Sequence, residues 1–239
     1  MSIGTSERTV MDNVKETREL LRIVGHKIST PLTDILQIAD GITYGVEGEV
    51  SRSVREEVLK MRASAEQVLS ITERILALIS IESLREDTAT VNIREAIHYV
   101  YNLMLPMANA HNRQLILDLP LSLPPVKANG NILQQALQTI CANAINLAHS
   151  STILVSTTWE PNFVITSIQD GLSSNTQQRL SIGEFLRMTP LAELSLDLLL
   201  CRRIAEIAHG DFWLNGDVEL GNIGWYISWP IAENIPFRS

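Results

Sequence analysis

Val54, Val58, Met61, Ala65, Val68, Thr72, Ile75 and Ile79 recur at alternating spacings of four and three. A helix returns to the same face about every 3.6 residues, so this rhythm draws one narrow apolar seam along a long helix. A strand, with its period of two, cannot carry it. Upstream, Leu21, Val24, Ile28, Leu32 and Ile35 form a second stripe and predict a helix over about Arg8 to Tyr44. Between the stripes lies GITYGVEGEV, Gly41 to Val50, a turn-forming stretch. Ser51 or Ser53, followed by Glu56 and Glu57, suits the start of the second helix. Two helices alone cannot cover both stripes. A second copy can, and a dimeric four-helix bundle is the expected result.

After the polar stretch SLREDTAT, Ser83 to Thr90, the pattern becomes mixed. Helices are expected over about Asn92–Ala110, Asn131–Ala148 and Leu194–Ala208. Strands are expected at Gln114–Leu119, at Ser151–Trp159 and Phe163–Gln169 as a hairpin, and at Phe212–Leu214 and Trp225–Trp229. The fold class is therefore α+β, with a long helical hairpin over residues 8–82 and an α/β sandwich over 90–235. In a chain of 239 residues, aromatics are only 5%, which suits cores lined by Leu, Ile, Val and Ala. A net charge of -8 argues against a nucleic-acid partner. Two cysteines, Cys141 and Cys201, suggest neither a disulfide framework nor a zinc site. No apolar run reaches membrane-spanning length, and the polar N-terminus does not read as a signal peptide. The expected location is the cytoplasm, with no membrane partner.

Chemistry starts at His26, in IVGHKISTPLT, Ile23 to Thr33. Val24 and Ile28 each lie two residues away, about 200° around a helix, so His26 faces away from their seam. An imidazole on a helix surface, beside Lys27 and just before the helix-internal Pro31, is unusual. The segment resembles the phosphoacceptor box of sensor histidine kinases, commonly His-Glu-Leu-Arg-Thr-Pro-Leu. His26, Thr30, Pro31 and Leu32 match it, while Lys27 and Ser29 depart. The second half resembles that family's ATP-binding domain in the same order. Asn143-Ala144 matches the asparagine box, whose Asn helps hold magnesium. Asp170, in VITSIQDG, matches the adenine-reading aspartate of the first glycine box. Leu194 to Gly210 resembles the second glycine box and its helix, and Gly224 to Pro230 the closing strand. The resemblance covers about Thr17 to Pro230.

The departures from the family are functional. Its glycine-rich loops let backbone amides approach the triphosphate. Here Leu172-Ser173-Ser174 follows Asp170-Gly171, and Ser195-Leu196-Asp197-Leu198 stands where Gly-Leu-Gly-Leu is usual. No glycine occurs between Gly183 and Gly210. Asp197 would set a negative charge against the phosphates. This run reads as a Leu-rich packing helix, and nucleotide binding is expected to be weak or absent. The family's acid after the histidine acts as a base, whereas charged Lys27 cannot accept a proton.

The resemblance implies a two-component phosphorelay protein. His26 would exchange phosphoryl groups with response-regulator aspartates, Lys27 would attract phosphate, and Thr30, one turn on, matches a position that orients hydrolytic water in some family members. Implied partners are a second copy, a receiver domain and an upstream sensor kinase. The resemblance fixes no cofactor: Mg-ATP enters through Asn143 and Asp170 only if the altered site still binds it. The alternatives are an active ATP-dependent kinase and a non-catalytic scaffold. His98, His111, His149 and His209 show no metal-ligand spacing, Trp213, Trp225 and Trp229 suit packing, and Arg202-Arg203 suits a solvated helix face.

Overall fold

The structure is a computed structural model that describes residues 3–46, 48–81, 88–171, 179–180, 185, 192–217 and 222–232. The chain divides into two compact units, Met1–Ser80 and Ile81–Ser239.

The first unit is a hairpin of α1 (Ile3–Thr43) and α2 (Arg52–Ser80). Helix α1 starts five residues earlier than Arg8, where the apolar stripe is too sparse to mark its beginning. Gly45 and Gly48, with φ of 74° and 108°, reverse the chain in the left-handed region that a side chain disfavours. Ser51 caps α2, its Oγ accepting the Val54 amide at 3.3 Å. Pro31 lies inside α1 and supplies no donor for the carbonyl one turn back. Around it, Ser29, Thr30 and Thr33 donate their hydroxyls to the carbonyls of Gly25, His26 and Ser29 at 2.9, 3.0 and 2.9 Å.

The heptad seam of α2 divides into two columns. Ala65 and Thr72 are buried against α1, flanked by half-buried Val58 and Ile79. Val54, Met61, Val68 and Ile75 remain exposed, at 47, 61, 45 and 40%. Helix α1 divides likewise. Gly25 and Ala39 are buried in the hairpin, while Leu21, Val24, Ile28 and Ile35 are exposed. Gly25 lets the helices approach closely, since a Cβ there would lie 2.5 Å from Leu76 Cδ2. The Asp40–Arg62 ion pair, 3.0 Å and partly exposed, crosses the hairpin but contributes little in water.

The second unit is a mixed sheet backed by helices. Its elements are β1 (Ala89–Val91), α3 (Ile93–Ala110), β2 (Gln114–Asp118), β3 (Val126–Ala128), α4 (Gly130–Leu147), β4 (Thr152–Trp159), β5 (Phe163–Asp170), β6 (Arg179–Leu180), α5 (Ala192–Ile207), β7 (Phe212–Asp217) and β8 (Asn222–Pro230). The main sheet has the order β2-β4-β5-β8-β7-β6, with β2 parallel to β4 and the other pairs antiparallel. β1 and β3 form a separate antiparallel pair. Asn92 caps α3 by accepting the Glu95 amide and donating to its carboxylate at 2.7 Å. Asn129 caps α4 through the amides of Asn131 and Ile132. The core joins Leu133, Ile140 and Ile145 of α4 and Ile204 of α5 to Ile153, Leu214, Ile227 and Trp229 of the sheet.

Three short strands, β1, β3 and β6, were not expected, because two or three residues carry no periodicity. Thr90, expected in the linker, pairs with Lys127, while the linker's residues 83–87 lie outside the described ones. β7 and β8 extend through Asn215, Gly216 and Gly224, poor strand formers that hold because a neighbour pairs with them. Among the described residues, no helix is long and apolar enough to cross a membrane.

Candidate functional site

The structure places the five candidate residues in two groups, one on each unit. His26, Lys27 and Thr30 are all exposed on α1. His26 lies about half a turn of helix away from the exposed column of Val24, Ile28 and Ile35, so a partner covering that column leaves the imidazole open. The long helix holds its backbone, with Gly25 buried on one side and the Thr30 hydroxyl bonded to the His26 carbonyl on the other. The Thr30 oxygen keeps lone pairs that can accept from water.

In the second unit, Asp170 ends β5 and is 5% exposed. One carboxylate oxygen accepts the His149 amide at 2.7 Å and the other the Ser150 amide at 2.9 Å. Arg113 completes a clamp on the same turn, its guanidinium donating to the carbonyls of Ala148, His149 and Ser150 at the C-terminal end of α4. Gly171 follows with φ 82°, its amide on the Thr152 carbonyl at 2.8 Å. Sequence reasoning missed Arg113, which stands 35 residues or more from the carbonyls it holds. Replacing Asp170 with alanine removes two hydrogen bonds to backbone amides from a buried carboxylate. The expected cost is about 2 kcal/mol, read as a lower melting temperature. An unchanged melt would show that these amides find other partners.

Asn143, half-buried on α4, donates from Nδ2 to Oδ2 of Asp197 at 3.0 Å. Asp197 is 6% exposed on α5, and Leu198, Leu200 and Cys201 beside it are core residues. The run Ser195–Leu198 therefore lies inside α5, which begins at Ala192. The missing later glycine of the first box, at Leu172 to Ser174, falls outside the described residues. Cys141 and Cys201 are buried, and burial pushes the Cys141 thiol up to about 12. The Cys201 thiol is raised by burial first and then by the Asp197 carboxylate. Neither is reactive at neutral pH.

The remaining residues singled out from the sequence are structural here. Trp225 and Trp229 are buried in the core. Trp213 stacks on Tyr226 with centroids 5.5 Å apart, and the Arg179 guanidinium lies 4.9 Å from its ring centroid. Arg202 and Arg203 both reach Glu206, at 3.0 and 3.1 Å. The Arg203 bond, with help from Arg202, holds the Glu206 carboxyl below its ordinary value.

Searches of known proteins follow the same outline. No family model matches the chain. The adaptive-response sensory kinase SasA of Prochlorococcus marinus (strain MIT 9301) is 23% identical over 233 residues, 90% of this chain and 59% of that protein. The SasA of Synechococcus sp. (strain CC9902) is 27% identical over 226 residues, 89% of this chain and 57% of that protein. Sporulation kinase E of Bacillus subtilis is 24% identical over 232 residues, 95% of this chain and 30% of that protein. The chain thus spans between 30% and 59% of the length of these relatives. Among solved structures, full-length ShkA in complex with AMPPNP superposes with a TM-score of 0.69 at 21% identity, over 91% of this chain and 47% of that one. ThkA in complex with the response regulator TrrA gives 0.59 at 19% identity, over 95% of this chain and 66% of that one.

Proposed function

From a chain with the architecture of a histidine kinase catalytic core, we propose a phosphotransferase of a two-component relay that works without ATP. His26 takes a phosphoryl group from the aspartyl phosphate of one receiver domain and passes it to the aspartate of another. A ring nitrogen forms the N–P bond as the acyl O–P bond breaks, and the aspartate leaves as a carboxylate. The return step reverses this. The observation that carries the reading is the contrast between the two groups of residues. His26 stands exposed beside a cation on a long helix, while Asn143 and Asp170 are engaged within the fold.

On this reading the second unit holds no magnesium nucleotide, and three observations support it. The Asn143 amide is bonded to a carboxylate, both Asp170 oxygens hold backbone amides, and a helix occupies the place of the second glycine loop. A receiver partner is supported by the solved complex of the structural relative ThkA with TrrA. An upstream sensor kinase is the class of protein that would charge the first receiver. A cytoplasmic location accords with the receiver partner.

The pairing of two copies is part of the proposal. The exposed columns on α1 and α2 are the surfaces a second hairpin would cover, giving a four-helix bundle. A carboxylate in that seam would be buried unpaired. Ile28→Asp and Val68→Asp are each expected to weaken the dimer by on the order of 100-fold, read as monomer by light scattering at micromolar concentration. A monomeric wild-type protein would overturn the bundle.

The function is tested by labelling. Full chain is incubated with a panel of phosphorylated receiver domains and, separately, with γ-labelled Mg-ATP. Label should arrive on histidine from a receiver and not from ATP. Label from ATP makes the protein an active kinase. Failure of every receiver, with His26→Ala behaving as wild type in cells, makes it a scaffold.

A further inference from the structure

Asp197 raises a question the relay does not answer: why a carboxylate is buried in the helix that replaces a phosphate-binding loop. A buried charge is costly unless its oxygens are hydrogen-bonded. Asp197 is 6% exposed, sits in the second turn of α5, and receives the Asn143 amide from α4 at 3.0 Å. Its charge is felt one turn on, at the Cys201 thiol, and that thiol in turn lies 3.9 Å from the Ala136 carbonyl of α4. Two hydrogen bonds, Asn143 to Asp197 and Cys201 to the Ala136 carbonyl, thus fasten α5 to α4. Leu198 of α5 and Leu133, Leu137 and Ile140 of α4 are all buried, and apolar burial cannot set the register of one helix on the other as a directional bond does.

We infer that Asp197 is an internal ligand of Asn143, occupying its side-chain amide and docking the first turns of α5 on α4 with no nucleotide or cation bound. The contact is made between the chain's own side chains. It rests on the reading that the second unit works without ATP, but it is measured at different atoms.

The test is hydrogen exchange of the α5 amides over residues 196–200 in the full chain. Asn143→Ala and Asp197→Ala should each speed exchange about tenfold, and the double variant no further. Multiplying effects would show that the two side chains act independently and would overturn the inference. Should the alanine variants fail to fold, the exchanged pair decides. Asn143→Asp alone sets two carboxylates face to face and should open α5. Adding Asp197→Asn restores an amide–carboxylate bond and should bring exchange back to within about twofold of wild type. An exchanged pair no better than Asn143→Asp alone overturns the inference. So does Mg-ATP slowing α5 exchange in wild type relative to magnesium alone, because a nucleotide would then be the ligand. Failure of receiver labelling at His26 leaves these rates unaltered, so the relay and the internal ligand stand or fall separately.

Discussion

His26→Ala is expected to accept no label from any phosphorylated receiver, while its melting temperature stays within about 1 °C of wild type. The loss is complete because the sequence of α1 contains no other imidazole. Nearby Thr30 donates its hydroxyl to the His26 carbonyl. The fold is spared because the imidazole is exposed and no partner buries it within the hairpin. Lys27→Glu is the companion. It restores the acid usual in the resembled family but reverses the charge beside the incoming phosphoryl group. At about 6 Å in water, one charge reversal is worth roughly 1.4 kcal/mol, or about tenfold in acceptance from a receiver. It should not create labelling by ATP, since no glycine stands between Gly183 and Gly210 to let the backbone cradle the triphosphate. Label from ATP on Lys27→Glu would show that the acid was the only defect.

Gly210→Ala is expected to destabilise the second unit by about 3 kcal/mol or more, lowering its melting temperature by roughly 10 °C. Helix α5 closes with His209 in the left-handed region, φ 59°, and the Gly210 amide returning to the Ala205 carbonyl at 2.8 Å. The chain then passes so close to β8 that a Cβ on Gly210 would lie 1.9 Å from the Ser228 carbonyl oxygen. That oxygen is backbone in a paired strand and cannot rotate aside. The neighbouring bonds, Ser228 amide to the Asp211 carbonyl at 2.9 Å and Asp211 amide to Ser228 Oγ at 2.8 Å, would have to open first. Gly45→Ala is the control. Its φ of 74° is left-handed, as that of Gly210 is not, but nothing lies within 4 Å of the added Cβ. Its cost should be about 1 kcal/mol, from backbone conformation alone. Equal effects from the two variants would mean that steric contact at Ser228 contributes nothing.

Much of the fold was legible because it rests on local periodicity. The two long helices, the β4–β5 hairpin and the start of the second helix beside Ser51 each follow from residues within a turn or two of each other. The exposure of His26 followed from its angle to Val24 and Ile28, and the loss of the glycines is visible by inspection. The short strands were not legible, because their residues form strands only when another part of the chain lies alongside.

The candidate site shows the same division more sharply. Sequence alone named the candidate side chains: an imidazole followed by a cation, an asparagine and two aspartates, and a helix-forming run without glycine. It could not say what those groups touch. A heptad names a stripe but not its partner, and only the packed hairpin separated Ala65 and Thr72, turned to α1, from Met61 and Val68, left outside. Asn143 and Asp197 lie 54 residues apart, and Asp170 meets the amides of His149 and Ser150 across 20 or 21. Such pairs leave no periodic trace, since a hydrogen bond depends on where two chain segments meet in space. The tertiary structure decided that Asn143 and Asp170 hold the protein's own groups.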